Sequence, residues 1–390
     1  MAHRRWITAA VALAFVLVLA GVWPAPAADP GVTPDTITIG AFGPRTGRVY
    51  MYGELAMNGA ELVYRQVNEK GGIHGRKINY VREDDECKNE GGIAAVKKLI
   101  HQHKVFMIHG GGCSTPAIAA REEVESNKVP MAVLDAVADE IAKDSKYIFH
   151  PGLTSGLESV AQADLAKAMG AKKIAVVWQN DAWGKGRFEA LMRKLKAEGV
   201  TPVTVEEMTV EQNDATAVVL KVQKSGADAV IQELYPKPTA VFIRDALKFG
   251  YKPLYISQTA AADLGDLQKQ IGIPGALEKF YAISQVKVSL DDTDMEPWRQ
   301  ALQKHFPNDR LSIYTLFGIA SAKVVVAGLE KAGKDLTREG LVAAMNGLCK
   351  VETGIYPGPV CFTPSDHHGL KQVAWIYLGK DGKTEFWRPR

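Results

Sequence analysis

A glycine-rich turn with the sequence HGGGCSTPA occupies residues 109–117, directly after the apolar run Val105–Ile108. Its thiol and two hydroxyls could supply a nucleophile, a phosphate cradle or a seat for another anion. Pro116 favours the first position of a helix, and Thr115 before it favours the N-cap. This predicts that Ser114 and the neighbouring amides face a crevice at the carboxyl end of a sheet, where helix starts bind anions. A tight turn that needs glycine only for packing is the alternative.

The motifs of common enzymes fail at their spacing. The turn does not provide the G-x-G-x-x-G of a dinucleotide site, and residues 379–384 have two residues between their glycines where a P-loop needs four. GLTSG at 152–156 places its serine one position later than a nucleophile elbow does. Neither the histidine pairs nor the acidic run Glu83–Glu86 has the spacing of a known metal site, so solvated surface is favoured there. We therefore predict no catalysis, no cofactor and no metal.

The N-terminus predicts export. Arg4 and Arg5 precede an apolar stretch and Ala25-Pro26-Ala27, which is typical of a signal peptide (residues 1–27) cleaved before about Ala28. No later segment is expected to insert stably in a membrane. The 390 residues carry a net charge of +3, of which the leader holds two charges, so the mature chain has no basic excess for nucleic acid.

Four cysteines in an oxidising compartment predict disulfides. Cys87, Cys113, Cys349 and Cys361 allow three pairings. Pairs 87–113 and 349–361 are favoured because each closes a short loop. A reactive thiol at Cys113 is disfavoured because an even set of exported cysteines normally forms disulfides.

Strand-like and helix-like segments alternate along most of the chain. The alternation runs from Ile37 to Leu134, breaks at Pro151-Gly152 and resumes to Ile256, which is typical of two doubly wound parallel sheets. Two long helices, 296–305 and 313–332, and a short helix at 338–348 are predicted after them. The length of the chain also favours two domains.

Several strings closely resemble the periplasmic leucine/isoleucine/valine-binding proteins of ABC importers. They are ITIGAFGPRTGRVYMYGELAMNGAELVYRQVNEKGGIHGRKINYVREDDEC from residue 37, GGGCSTPAI from 110, AVVWQNDAWGKG from 175 and VETGIYPGPVCFTP from 351. The resemblance implies an α/β type I periplasmic binding fold, with two parallel-sheet lobes joined by three hinge crossings. It implies an N-terminal lobe of residues 28–149 plus 284–354, a C-terminal lobe of 150–283 plus 355–390, and the disulfide Cys87–Cys113.

The resemblance also implies the ligand contacts. Ser114 is expected to hold a ligand carboxylate, Tyr52 and Trp183 to line the side-chain pocket, and Tyr235 to reach in from the second lobe. Packing in an ordinary core is the alternative for Trp183 and Tyr235. The full set of matching positions is Tyr52, Ser114, Asp135, Ala136, Val137, Trp183, Tyr235 and Thr259.

Two positions depart from the family pattern. Val137 stands where the family has threonine in the loop that receives the carboxylate and ammonium, and Thr259 stands where it has the acid that pairs with the ammonium. A buried ammonium without partners is costly. If Asp135 replaces the acid, an amino acid fits; if Asp135 points away, an aromatic or aryl-propenoic acid without an amine fits better.

We therefore expect a periplasmic substrate-binding protein of a branched-chain-amino-acid-type ABC importer. It would capture a small carboxylate-bearing solute by hinge closure, deliver it to a membrane permease, and act as a monomer. A ligand-sensing receptor module of the same fold is the alternative.

Overall fold

The computed structural model describes residues 29–47 and 49–387, so the predicted leader lies outside the described residues. The first sheet is wholly parallel, with the order β2-β1-β3-β4-β5. Ile39, Ala41 and Phe42 of its central region are fully buried, as expected for a parallel strand covered on both faces. Its strands are β1 (Thr36–Gly43), β2 (Lys77–Asp84), β3 (Met107–Gly110), β4 (Met131–Val133) and β5 (Ile148–Phe149).

Four helices connect these strands. They are α1 (Glu54–Glu69), α2 (Asn89–Lys97), α3 (Ser114–Ala119) and α4 (Arg121–Ser126). The pattern predicted one helix from Pro116 to Ser126, whereas the structure has two short ones that meet at Ala120.

The second sheet has the order β12-β11-β10-β9-β8-β6-β7. Five of its strands are parallel, and the last two form an antiparallel hairpin on β10. The strands are β6 (Ile174–Gln179), β7 (Thr204–Met208), β8 (Ala229–Glu233), β9 (Leu254–Ser257), β10 (Phe280–Ser284), β11 (Ala374–Leu378) and β12 (Thr384–Trp387). The sequence analysis did not predict this hairpin, although β11 (AWIYL) is apolar throughout; most side chains of its two strands are half-buried.

The helices of the second lobe are α5 (Ser155–Ala168), α6 (Ala182–Ala197), α7 (Thr216–Lys224), α8 (Pro236–Lys248) and α9 (Leu264–Ile271). Short polar side chains fix where several of them begin. Thr154 accepts a hydrogen bond from Leu157 N at the start of α5, and Asp181 accepts one from Gly184 N at the start of α6.

After β10 the chain returns to the first lobe and forms three further helices. They are α10 (Glu296–His305), α11 (Ile313–Ala332) and α12 (Arg338–Asn346). Helix α11 packs along α1 at glycine contacts: a Cβ added to Gly59 would lie 2.0 Å from Thr315 O, and one added to Gly318 would lie 1.8 Å from Ala56 O.

Helix α11 is also long and apolar enough, by length and composition, to cross a membrane, contrary to the expectation that no segment after the leader is. However, 72% of the most apolar 18-residue stretch of this helix is buried inside the protein, so it serves here as a core helix of the first lobe.

The chain passes between the two sheets three times, and the crossings are hydrogen-bonded to one another. His150 of the first crossing pairs with His368 of the third in a parallel bridge. Leu153 N donates to Gln285 Oε1 of the second crossing at 3.1 Å. Lys287 N, also of the second crossing, donates to Ile355 O at 2.7 Å. The three segments therefore form one connected hinge.

Candidate ligand-binding site

Every predicted ligand-contact residue lies on the carboxyl side of a strand. Ser114 follows β3 and the loop 135–137 follows β4, while Trp183, Tyr235 and Thr259 follow β6, β8 and β9. The carboxyl ends of parallel strands in open α/β sheets are where ligands bind. The structure thus brings these residues to the facing edges of the two lobes.

The glycine-rich turn places Ser114 at the first residue of α3. Cys113 is the N-cap, so the expected N-cap at Thr115 and first helical position at Pro116 are wrong by two residues. Gly111 has a positive φ of 91°, and a Cβ on Gly112 would lie 2.7 Å from Tyr52 O, so these positions need glycine. The disulfide Cys87–Cys113 attaches the turn to the loop after β2, and Cys349 is joined to Cys361. Both disulfides are the pairings that the sequence analysis favoured because each closes a short loop.

The loop 135–137 is held against this turn. Asp135 N and Ala136 N donate to Gly111 O at 3.2 and 2.9 Å. Ser114 Oγ accepts hydrogen bonds from Val137 N and Ala138 N, both at 3.2 Å. The serine oxygen is thus used within the protein, and among the described residues its hydroxyl hydrogen has no acceptor.

Asp135 lies among groups of both lobes. Burial raises the pKa of its carboxyl well above the usual range, and the negative charge of Glu158 in the second lobe adds to the effect. Val137 O accepts hydrogen bonds from Ser155 N at 2.7 Å and Ser155 Oγ at 3.0 Å, which ties the start of α5 to the same loop. The first-lobe loop and the second-lobe helix are therefore in direct contact.

Tyr52 forms an aromatic wall on the first lobe together with Tyr314, which the sequence reading did not identify. Their rings meet edge to face with centroids 5.2 Å apart. Burial and the charge of Asp135 raise the pKa of Tyr52 to about 12. Tyr314 was missed because it lies in the first turn of α11, far along the chain from every motif.

Trp183 and Tyr235 form the opposing wall on the second lobe. Their rings stack with centroids 4.3 Å apart and 19° between the planes. The guanidinium carbon of Arg187 lies 4.5 Å from the Trp183 ring centroid, within the range of a cation–π contact. Burial, followed by the proximity of Tyr52, raises the pKa of Tyr235. The two aromatic walls therefore lie close to each other across the cleft.

Thr259 does not stand alone at the position of the missing acid. Its hydroxyl donates to Glu158 Oε1, and its backbone N donates to Glu158 Oε2 at 3.3 Å. Glu158 thus brings a carboxylate from α5 to the place where the family pattern has one on the β9 loop. The electrostatic contact with Asp135 puts two acidic groups at this part of the cleft.

The sequence analysis did not identify Glu158. The spacing of Leu157, Val160, Ala161, Leu165 and Met169 predicts the helix; Leu165 is buried and the other four are half-buried. Glu158 and Gln162 are fully buried instead. Polar residues normally mark the solvated side of a helix, so apolar spacing alone could not identify this inward polar face.

Glu158, Arg187 and Glu233 form a buried charged cluster in the second lobe, each at most 1% exposed. Arg187 Nη1 lies 2.6 Å from Glu158 Oε2 and 3.9 Å from Glu233 Oε2. Burial raises the pKa of Glu233 to about 8, since one guanidinium does not fully offset the desolvation of two carboxyls. This "buried cluster" adjoins the aromatic wall through Arg187.

The acidic residues and the histidine considered above for metal binding are bonded to other side chains of the protein. Glu83 pairs with Lys98 and His103, and Asp84 accepts a hydrogen bond from Thr46. In the part of the chain that the structure describes, no group of three or more His, Cys, Asp or Glu residues could hold a metal ion.

Two α/β lobes, three crossings and a polar and aromatic site at the facing strand ends define the class of type I periplasmic binding folds. The chain belongs to the periplasmic binding protein family, whose model matches residues 36–383.

Individual relatives agree with this assignment. The chain is 27% identical over 336 residues to Leu/Ile/Val-binding protein homolog 7 of Brucella abortus, covering 82% of each chain. The structure is similar to a fatty acid ABC transporter substrate-binding protein from Thermomonospora curvata, with a TM-score of 0.77, 22% identity and coverage of 93% and 94%. It is also similar to an ABC transporter solute-binding protein from R. palustris in complex with 4-hydroxybenzoate, with a TM-score of 0.74, 24% identity and coverage of 91% and 96%.

Proposed function

We propose that this protein captures a small carboxylate-bearing solute between its lobes and delivers it unchanged to the membrane permease of an ABC importer. The observation that carries the proposal is the convergence of Ser114 and loop 135–137 from one lobe with Trp183, Tyr235 and Glu158 from the other. The lobes are residues 28–149 plus 284–354 and 150–283 plus 355–390. A leader cleaved before about Ala28 sends the chain to the periplasm, where it acts as a monomer.

The ligand carboxylate binds to the turn at the start of α3, which is called the carboxylate seat below. Ser114 donates its hydroxyl hydrogen to the ligand carboxylate, while the amides of loop 135–137 donate to Gly111 O and Ser114 Oγ and so hold the serine in place. A hydrogen bond to a charged group contributes about 1.5–3 kcal/mol, so this hydroxyl helps to hold the anion without a formal positive charge.

Closure of the hinge follows from contacts with both lobes. A solute seated on the first lobe and covered by Trp183 and Tyr235 of the second stabilises the closed state relative to the open one. The rings of Tyr52, Trp183 and Tyr235 provide an apolar lining for the rest of the solute.

The test is a thermal-shift screen of the mature protein with branched-chain and aromatic amino acids, aromatic and aryl-propenoic acids, and uncharged amides of the same acids. We expect at least one free carboxylate to raise the Tm and its amide to have no effect. A response to amides as strong as to acids, or no response to any carboxylate, would contradict the proposal. A large shift with leucine or valine alone would assign an amino acid ligand, with Asp135 and Glu158 as partners of its ammonium.

A further inference from the structure

The buried cluster of Glu158, Arg187 and Glu233 contains more hydrogen-bonding capacity than the surrounding protein uses. Among the described residues, neither Arg187 Nε nor Glu233 Oε2 has a hydrogen-bond partner, although both atoms are buried. The Gln162 amide, one turn further along α5 from Glu158, also lacks partners on both of its polar atoms. Glu233 Oε2 is 3.9 Å from Arg187 Nη1, too far for a hydrogen bond.

Unpaired polar groups of this kind call for a partner. A buried donor or acceptor left without one costs about 1–3 kcal/mol, and more when the group is charged. Nearly all such groups in folded proteins are paired with protein, water or ligand. Several of these atoms lie within this one cluster, where a polar group of a bound molecule would pair with them.

The cluster lies next to residues that are predicted to contact the solute. Arg187 contacts the Trp183 ring, Trp183 stacks on Tyr235, and Thr259 binds Glu158, so the cluster shares its boundary with three of the predicted ligand contacts. It lies on the second lobe, whereas the carboxylate seat at Ser114 lies on the first. A solute that reaches across the cleft presents its other end to the cluster.

The two unpaired atoms determine which chemical group fits there. The guanidinium Nε–H can only donate, whereas the Glu233 carboxyl accepts when ionised and donates when protonated. With a pKa of about 8, Glu233 is mainly protonated at neutral pH and ionised in alkaline solution. A hydroxyl group accepts from Arg187 and can either donate to or accept from Glu233, so it is satisfied in both states.

We propose that Arg187 and Glu233 bind a hydroxyl group at the end of the solute remote from its carboxylate, so that the natural ligand is a hydroxylated acid, with a phenol best suited to the aromatic lining. This inference rests on the proposed function, because it needs the carboxylate at Ser114. Glu158 is a positioning residue that orients the guanidinium through its 2.6 Å ion pair.

The experiment measures affinity by calorimetry for matched pairs that differ only in the hydroxyl: 4-hydroxybenzoate and benzoate, 4-hydroxycinnamate and cinnamate, tyrosine and phenylalanine. In every pair that binds, we expect the hydroxylated member to bind about 10- to 100-fold more tightly, the range for a hydrogen bond to a charged group. Glu233→Leu should reduce this preference about 3- to 10-fold, because the hydroxyl loses one of its two partners while the Arg187 donor remains.

Gln232→Leu is the matched control. Gln232 is the neighbouring residue on β8, is equally buried and also lacks hydrogen-bond partners for its amide among the described residues. Because side chains alternate along a strand, it faces the opposite side of the sheet from Glu233. This variant should keep the full hydroxyl preference. Arg187→Lys, which keeps the charge beside Glu158 but lacks the Nε donor, provides a second test if Glu233→Leu does not fold.

The outcomes separate the two proposals. Acids that bind equally well with and without the hydroxyl would overturn the hydroxyl site, leave the carboxylate capture intact and assign the unpaired atoms to buried water. Equal loss of preference in Gln232→Leu would also overturn it. Failure of all six compounds and of every other carboxylate would instead overturn the proposed function itself.

Discussion

At the scale of single residues, one serine oxygen holds the first-lobe half of the site together. Ser114 Oγ accepts from two backbone amides of the loop after β4, so it positions that loop as well as facing the crevice. The residue therefore has a structural and a ligand-binding role in the proposed function.

We predict that Ser114→Ala weakens binding of the carboxylate found in the screen by about 1–3 kcal/mol, since one hydrogen bond to the anion is lost. Isothermal titration calorimetry measures this directly. Ser126→Ala is the control, because Ser126 is exposed on α4, where its hydroxyl donates to Glu123 O and accepts from Asn127 Nδ2, both at 3.4 Å. Unchanged affinity in Ser114→Ala would place the carboxylate elsewhere.

A buried histidine of the first lobe sets a pH dependence of stability. His109 is fully buried between Tyr64 Oη at 2.7 Å and Ser321 Oγ at 3.0 Å. Burial lowers its pKa from 6.5 to about 3, so the folded protein holds it neutral while the unfolded chain protonates it near pH 6.5. Its stabilising effect is present above pH 6.5 and is lost as the pH falls from 6.5 towards 3.

We predict that the free energy of unfolding of the wild type falls between pH 6.5 and 4 by about 1.4 kcal/mol per pH unit more than that of His109→Gln. Glutamine can bond to the same two hydroxyls but does not titrate. Urea unfolding at several pH values provides the measurement, with His101→Gln, an exposed surface residue, as the control. Parallel pH profiles of the wild type and His109→Gln would refute the assignment.

The residues of the first-lobe seat could be proposed from sequence because the glycine turn and the loop directly follow apolar strands. Arg187 and Glu233 were not, since a buried charge looks like a surface charge when only spacing is known. Glu233 is the last residue of β8, one position after the strand predicted there. The sequence therefore locates the cleft but not its charged interior.

At the scale of elements, the packing of α11 on α1 depends on two glycines. Gly59 and Gly318 each bring a helix backbone against the other helix without an intervening side chain. The bounds predicted for α10 and α11 agree with the structure, because both helices have clear beginnings and ends in the sequence. Helix α9, by contrast, was not predicted, since its eight residues offer only two turns of periodicity.

We predict that Gly318→Ala lowers the free energy of unfolding by at least about 1–3 kcal/mol, the usual effect of forcing a methyl group into a packed core. The added carbon would overlap Ala56 O, so the helices must move apart. Gly186→Ala is the control: it lies within α6 with none of the described atoms within 4 Å of an added Cβ, and alanine should stabilise that helix by about 0.5–1 kcal/mol. Equal effects in the two variants, measured by urea denaturation, would contradict the close packing.

At the scale of the whole molecule, the hinge connects the two lobes, and the cleft lies between the site residues that each lobe contributes. Contacts such as those of Ser155 with Val137 O join the lobes near the site, and the three crossings bond to one another behind it. Opening thus requires breaking interlobe hydrogen bonds such as those of Ser155 and that of Gly156 N to Asp139 Oδ2.

We predict that saturating ligand reduces the radius of gyration measured by small-angle X-ray scattering, because the solute stabilises the closed state. The Ser114→Ala variant at the same ligand concentration should show a smaller population of the compact form. An unchanged scattering profile with bound ligand would argue against hinge closure.

The path of the chain through the two lobes also affects how the protein can be made. The apolar face of α1 is covered by α11, which emerges only after the strands β6–β10 of the other lobe. During synthesis the first lobe therefore cannot complete its core until most of the chain has left the ribosome, and contacts this distant in sequence form slowly. Late completion of the core keeps the nascent polypeptide loosely structured for longer, which would suit the proposed export across a membrane before folding.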